Sequence, residues 1–394
     1  MLRLLPLITV PQKSETQKKK HAMNTLLIFI SGHGFGHASR MRQVLKALEG
    51  QPFKIIVVTP TDPWFLSNPF SERISYLPWQ HDVGLIQSDS ITTDIPKTLK
   101  ALNVFEKNAP ALLQKLSNFC KGFRISCVLS DISSFAFRFS KMLGVPGFFV
   151  GNFTWVDIYR DLCEEFPTFS PHIARIEEEY SYAQTAFQLP WYTALLPFES
   201  SKKKPISLIA PKPSSMSREN WESIIYNAAG SGCSFESNLN KRKIVLLSFG
   251  GFDLGNLPMD SIASLKNEYL FITTRTLGSQ MPENLIPLNA MIPEYLGLIK
   301  HADVVMTKPG YGILADCLVE QKPIIHTERG RFAEYPVLRK FLDEQFPSTF
   351  LSKKDFLEGN WKEALNQALN IQKKFPKLPL NGTKEILRHV SSYF

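Results

Sequence analysis

Cysteine and long apolar runs are both scarce in this sequence. Its five cysteines, spread over 394 residues, have neither zinc-site nor disulfide-framework spacing: Cys120, Cys127, Cys163, Cys233 and Cys317. A small, odd set of this kind is typical of reduced thiols in the cytoplasm. No apolar run reaches the roughly 18–20 residues that a membrane-spanning helix needs. The sequence therefore predicts a cytoplasmic protein without a transmembrane segment or a metal site.

Positive charge is in moderate excess and is spread along the chain. There are 45 lysines and arginines against 36 acidic residues, which gives a formal net charge of +9. No zinc finger, RNA-binding signature or stripe of aromatic and basic residues accompanies this charge, so we expect no nucleic-acid partner. The excess suits an anionic substrate or an acidic membrane surface, and the second would place the protein peripherally at the inner face of a membrane.

A chain of 394 residues, 44% of them hydrophobic, is long enough to form two sizeable hydrophobic cores. Apolar runs at 25–30 and 54–59 predict buried strands, and the helix between them completes a βαβ unit, which implies a parallel sheet. The pattern restarts at 243–248, after a stretch rich in lysine, proline and serine. We therefore predict an α/β fold with two doubly wound Rossmann-like domains facing across a cleft. The expected divisions are a disordered leader at 1–23 (or a functional start at Met23), an N-terminal domain at 24–199, a linker region at 200–241, a C-terminal domain at 242–375 and a C-terminal helix at 376–394.

A glycine-rich loop follows the first predicted strand. Its glycines, Gly32, Gly34 and Gly36, lack the spacing of the dinucleotide fingerprint, which disfavours a hydride-transfer enzyme. The loop instead brings His33 and His37 to the carboxyl edge of the sheet, where α/β folds bind ligands. A histidine there can take a proton near neutral pH. The alternative is that either histidine only caps the helix that follows.

Asp131 follows another predicted buried strand, at 125–129, and is expected on the same sheet edge as His37. A carboxylate there can orient and stabilise the imidazole of His37. The alternative is that Asp131 caps the following helix, and the two roles are compatible. The predicted inward face of that helix carries Phe135, Phe139, Met142 and Leu143.

We expect the stretch 308–316 at the ligand edge of the second domain, opposite His37 across the cleft. An apolar strand at 302–307 runs into Gly310 and Gly312 and then into a helical pattern. A strand, a glycine turn and a helix start form a socket for phosphate, because the first amides of the helix point outward and its dipole favours an anion. Lys308 adds a cation, and Asp316 could accept hydrogen bonds from ribose hydroxyls. We interpret this stretch as a nucleotide-diphosphate site; the alternative is an ordinary strand-to-helix turn.

Seven short stretches, taken in order, resemble glycosyltransferases of the two-domain GT-B architecture. More narrowly, they resemble the glycosyltransferase-like N-terminal half of plant L-arabinokinase and its free-standing bacterial relatives. The stretches are 32–40, 82–89, 130–131, 152–155, 248–251, 308–316 and 332–336. The kinase half of arabinokinase has no counterpart in this sequence, so the resemblance implies no sugar kinase activity.

The resemblance also implies roles for individual residues. His37 matches the general base and Asp131 the carboxylate that pairs with it. The N-terminal domain would hold the acceptor and the C-terminal domain the donor. The residues expected to bind nucleotide sugar are Gly34, Gly36, Ser248, Gly250, Gly251, Met291, Ile292, Lys308, Gly310, Tyr311, Gly312, Asp316 and Glu334. The residues expected on the acceptor side are His33, Asp82, Gln87, Asp89, Asn152 and Trp155.

Several positions depart from the pattern of the resembled enzymes. Asp316 replaces the ribose-binding glutamate, Ile313 a serine or threonine, Lys308 a histidine and Tyr335 a glutamine. The leading hypothesis is an inverting, metal-independent hexosyl- or N-acetylhexosaminyltransferase that needs no cofactor. It would use a nucleotide-diphosphate sugar, expected to be a UDP-sugar, and an unidentified hydroxyl acceptor, for which a lipid-linked compound is one option. A nucleotide-sugar epimerase or hydrolase and a non-catalytic nucleotide-sugar-binding protein stay open as alternatives.

Overall fold

The first half of the chain forms a parallel sheet. A computed structural model describes residues 23–66, 73–87, 93–229, 241–249, 257–274, 281–288 and 294–394. The first sheet has the strand order β3-β2-β1-β4-β5-β6-β7, and every neighbouring pair is parallel. Its strands are β1 Asn24–Ile30, β2 Lys54–Val58, β3 Ile74–Leu77, β4 Arg124–Asp131, β5 Gly147–Gly151, β6 Thr185–Gln188 and β7 Lys203–Pro205.

Helices connect these strands, because parallel neighbours require a crossover. Buried side chains recur along α1 at Met41, Val44, Leu45 and Leu48, as the periodicity predicts. The helices are α1 Phe35–Leu48, α2 Pro63–Leu66, α3 Ile95–Cys120, α4 Phe135–Leu143, α5 Trp155–Cys163 and α6 Ser170–Ser181, with 3₁₀ turns at Pro167–Phe169 and Ser200–Lys202.

A second parallel sheet has the order β10-β9-β8-β11-β12-β13. Its strands are β8 Lys243–Ser248, β9 Tyr269–Thr273, β10 Leu285–Pro287, β11 Val304–Thr307, β12 Ile324–His326 and β13 Ser348–Phe350. The helices of this half are α7 Arg218–Ala229, α8 Met259–Ser264, α9 Tyr295–His301, α10 Tyr311–Val319, α11 Glu334–Gln345, α12 Lys353–Glu358 and α13 Lys362–Leu369.

The last helix, α14 Gly382–Ser391, crosses back to the first sheet and packs on α1. Phe394 stacks on Phe53 with ring centroids 4.0 Å apart, and its carbonyl accepts a hydrogen bond of 3.2 Å from the Asn24 side chain. The chain end is thereby tied to the start of β1.

The prediction of an α/β fold with two Rossmann-like sheets is confirmed. The predicted linker region, 200–241, contains β7 and α7. The expected inward position of Met142 is wrong: 50% of this side chain is exposed, because α4 uses Phe137 and Ser140 to pack against its neighbours instead. No helix within the described ranges is long and apolar enough to cross a membrane.

Some predictions fall on residues that lie outside the described ranges. They are the leader up to residue 22 and the site residues Asp89, Gly250, Gly251, Met291 and Ile292.

Candidate functional site

The starts of α1 and α10 meet where the carboxyl edges of the two sheets face each other. β1 runs through the glycine loop into α1, and β11 runs through Lys308, Pro309 and Gly310 into α10. A Cβ atom placed on Gly312 would lie 3.5 Å from the Cα atom of Gly36. The two loops are therefore in van der Waals contact across the domain interface.

His37 and Asp131 are within hydrogen-bond distance in this interface. His37 Nδ1 lies 2.7 Å from Asp131 Oδ1, and both side chains are buried. The parallel register sets Asp131 opposite Ile30, the last residue of β1, so both groups stand at the same sheet edge. A proton held on Nδ1 by the carboxylate leaves Nε2 as the basic ring nitrogen.

Arg40 completes this buried cluster. Its Nε and Nη2 donate to the two oxygens of Asp131 at 2.9 and 2.7 Å, a bidentate ion pair. Burial alone would raise the pKa of Asp131, but the charge of Arg40 and the bonds from Arg40 and His37 hold it below its usual value. Asp131 is therefore ionised at neutral pH. Arg40 was missed as a site residue, although its position three residues after His37 places both on one face of a helix.

A chain of hydrogen bonds leads from Arg40 into the second domain. Arg40 Nη1 donates to Asn152 Oδ1 at 3.1 Å, and Asn152 Nδ2 donates to Glu334 Oε1 at 2.7 Å. The other carboxylate oxygen of Glu334 pairs with Arg329. Two residues predicted on opposite sides of the cleft, Asn152 and Glu334, are thus in direct contact.

The start of α10 has the geometry expected of the predicted socket. Gly310 is its N-cap, and the first intrahelical bond runs from Leu314 N to Gly310 O at 3.1 Å. The amides of Tyr311, Gly312 and Ile313 precede that bond and have no intrahelical acceptor. The Ser248 hydroxyl bonds to Tyr295 OH at the end of β8.

Tyr311 and Asp316 line a cavity of about 10 Å³ between α1 and α10, room for about one water molecule. The Tyr311 hydroxyl accepts a bond of 3.0 Å from Ile209 N, and the Arg40 guanidinium lies 4.9 Å from its ring centroid. Burial, with a smaller contribution from Glu320, raises the pKa of Asp316 to about 7. Asp316, the residue predicted to bind ribose, thus lines a space too small for a ribose in this arrangement of the domains.

His33 belongs to an aromatic cluster that spans both domains. Its ring stacks on Phe332 with centroids 6.1 Å apart and meets the edge of Trp155 at 5.2 Å. Burial, followed by the positive charges of His37, Arg329 and Lys308, lowers the pKa of His33 well below its usual value. His33 is therefore uncharged at neutral pH, whereas a histidine that acts as a general acid must carry a proton on both ring nitrogens.

A larger cavity, of about 510 Å³, opens beside His33 in the first domain. It lies between the loop after β3 and α3, and its walls are mostly apolar, including Val83, Leu85, Ala101, Phe105 and Leu112. This volume is in the range of cavities that hold small organic ligands. Of the residues predicted on the acceptor side, His33 lines this cavity, whereas α3 was missed because an apolar helix face looks the same whether it lines a core or a cavity.

Of the other residues predicted on the acceptor side, Asp82 accepts a bond of 3.1 Å from Trp155 Nε1, and both are buried. Gln87 forms an isolated bridge with Thr93. Among the residues that the structure describes, no group of three His, Cys, Asp or Glu side chains is arranged to hold a metal ion.

Comparison with known proteins gives one curated relative and many solved structures. No protein-family model matches the sequence. L-arabinokinase of Arabidopsis thaliana is 26% identical over 353 residues, which are 87% of this chain and 32% of the arabinokinase. The chain thus spans about a third of the length of that relative, and the match agrees with the resemblance seen in the sequence motifs.

The similar solved structures are glycosyltransferases. The glycotransferase of kitacinnamycin has a TM-score of 0.59 at 12% identity, covering 94% of this chain and 95% of its own. UGT2 of Phytolacca americana, solved with UDP-2-fluoro-glucose and pterostilbene, has a TM-score of 0.59 at 13% identity, covering 94% and 99%. The calicheamicin glycosyltransferase CalG4 has a TM-score of 0.58 at 11% identity, covering 95% and 98%. The chain therefore has the GT-B fold of these glycosyltransferases.

Proposed function

We propose that the protein is a glycosyltransferase that moves a sugar from a nucleotide diphosphate, a UDP-sugar, to a hydroxyl group of the acceptor. The observation that carries the proposal is the His37–Asp131 pair, which stands directly across the domain contact from the start of α10. The solved neighbour with a UDP-sugar analogue has the same fold, which supports the choice of donor.

His37 acts as the general base in this proposal. The acceptor oxygen attacks the anomeric carbon while the bond from that carbon to the diphosphate oxygen breaks. The acceptor proton passes to Nε2 of His37, and Asp131 stabilises the imidazolium that results. Because there is a single displacement, the anomeric configuration inverts.

The leaving diphosphate is stabilised by the amides at the start of α10 and by Lys308. In this proposal the helix amides and the lysine face the position where negative charge develops. They supply the charge neutralisation that a metal ion gives in other transferases, so we propose a reaction without metal or cofactor.

The cavity of about 510 Å³ beside His33 is the proposed acceptor site. Its apolar walls favour an acceptor with a sizeable apolar body and at least one hydroxyl group. A lipid-linked alcohol and an aromatic alcohol both meet this description.

An epimerase or hydrolase would need further carboxylates at the anomeric centre. Glu328 and Glu334, which follow β12, are the two candidates for this role. Glu328 accepts hydrogen bonds from Thr327 Oγ1 and from the amide of Lys353 at the start of α12, and Glu334 is held by Asn152 and Arg329. This arrangement favours the transferase over the epimerase.

Thermal unfolding of the purified protein against UDP, GDP, dTDP, ADP and UDP-sugars tests the proposal. A ligand at 100 times its Kd stabilises the native state by about 2.7 kcal/mol, which raises Tm by several degrees. We expect this rise with UDP and UDP-sugars, followed by UDP release when a suitable alcohol is added. Unchanged Tm with every nucleotide contradicts the proposal, and free epimerised sugar in the absence of any acceptor would favour the epimerase.

A further inference from the structure

Arg329 is a largely buried cation at the mouth of the α10 socket. It lies in the loop between β12 and α11, and only 14% of its side chain is exposed. Its Nη1 donates to Pro309 O at 3.1 Å and to the carboxylate of Glu334, and its guanidinium lies 4.2 Å from the centroid of Phe332. Its Nε is buried and has no hydrogen-bond partner among the described residues. A buried N–H group without a hydrogen-bond partner is costly, which suggests a ligand at the Nε edge.

The position of Arg329 relative to α10 suggests the chemistry of that ligand. A Cβ atom on Gly310, the N-cap of α10, would lie 4.0 Å from Arg329 Nη1. Pro309, whose carbonyl Arg329 binds, is the residue before that cap. The start of α10 and Arg329 are thus adjacent, and the positive charges of Arg329 and Lys308 are both close enough to lower the pKa of His33. Three sources of positive potential in one region favour a highly charged anion over a neutral sugar.

The hydrogen bonds of Glu334 indicate which phosphate group of the donor would lie beside Arg329. It accepts a bond from Arg329 on one oxygen and from Asn152 on the other, so Arg329 lies between Glu334 and the start of α10. Glu334 is among the residues that the resemblance assigns to nucleotide-sugar binding, and if it faces the sugar, the phosphate between the sugar and the helix is the one bonded to the sugar.

We infer that Arg329 binds the sugar-linked β-phosphate of the donor through its Nε edge, an inference that rests on the proposed transferase function. Without donor, Glu334 neutralises Arg329. With donor, the phosphate binds the Nε edge while Nη1 keeps its bond to Glu334, and the remaining lone pairs of that carboxylate can accept hydrogen bonds from the sugar hydroxyls. A guanidinium suits this arrangement, because its rigid fork can bind a carboxylate and a phosphate oxygen on different edges.

Calorimetric titration with UDP and UMP tests this role, since UMP lacks the β-phosphate. Arg329→Gln is expected to weaken UDP binding by about 10- to 100-fold and UMP binding by less than about 3-fold, as expected for loss of a charge-assisted hydrogen bond. Arg329→Lys keeps the charge but loses the fork, so its UDP affinity should lie between the two.

Arg331→Gln is the matched control in the same loop. Arg331 is exposed; it pairs with Glu165 and donates a hydrogen bond of 2.6 Å to the carbonyl of Asp161. It therefore lies in the same loop as Arg329 and carries the same charge, but its contacts are away from the start of α10. Its UDP and UMP affinities should stay within about 3-fold of wild type.

Each outcome bears on a separate claim. Wild-type protein that does not bind UDP overturns the proposed function and this inference with it. Wild-type protein that binds UDP, with Arg329→Gln unchanged, overturns the inference alone. An equal loss of UDP and UMP affinity would indicate a structural role and also overturns it. If Arg329→Gln unfolds, Arg329→Lys carries the test through the same comparison of UDP with UMP.

Discussion

Asn152 donates a hydrogen bond of 2.7 Å to Glu334, a residue 182 positions later in the chain. Asn152 follows β5 in the first sheet and Glu334 begins α11 of the second, and the two side chains are 0% and 2% exposed. Because Asn152 also accepts from Arg40, the bond connects the His37–Asp131 pair to the loop that carries Arg329. The interface between the domains is thus polar at its centre and continuous with the proposed catalytic group.

Replacing Asn152 by alanine should destabilise the protein. The change removes a partner from Arg40 and one from Glu334, both buried and charged, so we expect a loss of about 2–3 kcal/mol in the free energy of unfolding. Urea denaturation followed by circular dichroism measures it. Asn103→Ala, on the exposed side of α3, is the control and should change stability by less than about 0.5 kcal/mol. Equal effects of the two substitutions would show that the interdomain bond contributes little.

His37→Ala should abolish sugar transfer and leave nucleotide binding nearly intact. General-base catalysis contributes about 10²- to 10⁴-fold to rate, while the groups proposed to bind the diphosphate, Lys308 and the start of α10, lie on the other domain. Turnover measured by UDP release, and UDP affinity measured by calorimetry, separate the two effects. His301→Ala, on α9 of the second sheet, serves as control. Undiminished turnover in His37→Ala would rule out this residue as the base.

Asp316→Asn should make the protein more stable at alkaline pH. Because the carboxyl has a pKa of about 7 in the folded protein against 3.8 when unperturbed, the folded state binds the proton more tightly than the unfolded state. The wild type therefore loses stability as pH rises from about 4 to about 7, and the variant avoids this loss. We expect the variant to gain about 1–3 kcal/mol over wild type at pH 8 and much less at pH 5.

Urea denaturation at both pH values checks this expectation for Asp316. Glu363→Gln, at an exposed position on α13, should show the same difference from wild type at pH 5 and at pH 8. A gain from Asp316→Asn that does not grow with pH would mean that this carboxyl is not the source of the pH dependence.

Ala101→Trp should weaken binding of the acceptor and leave binding of the donor unchanged. Ala101 lines the cavity of about 510 Å³ from α3, and an indole would fill part of it. We expect a rise in KM for the acceptor of about 10-fold or more, with UDP affinity unchanged, since a filled pocket excludes ligand by overlap. Lys107→Trp, an exposed position on the same helix, adds the same side chain outside the cavity. If both variants keep wild-type kinetics with every acceptor that wild type uses, the acceptor lies elsewhere.

Much of the fold was predictable because it depends on local pattern. Continuous apolar runs correspond to β1, β2, β8 and β11, and the glycine turns after β1 and β11 lead into helices as expected. The nearness of His37 and Asp131 was predictable too, because residues that end neighbouring parallel strands share one sheet edge. Arg40 was within reach of the same reasoning, since it lies one helical turn beyond His37.

Side-chain direction was harder to predict where an element has two buried faces. The helical spacing of α4 is compatible with either Met142 or Phe137 facing inward, and packing against α6 favours Phe137. Periodicity alone carries no information about which neighbours surround a helix.

The sequence by itself determined the alternation of strands and helices, the parallel sheets, the edge of the first sheet at which His37 and Asp131 lie and the edge of the second at which Lys308 lies, because each depends on residues within one or two elements. Only the tertiary structure decided that Asn152 meets Glu334, that Arg329 lies against the cap of α10 and that the space around Asp316 holds about one water molecule. These contacts join side chains distant in sequence, and they follow from how two complete domains dock, which no local pattern of residues records.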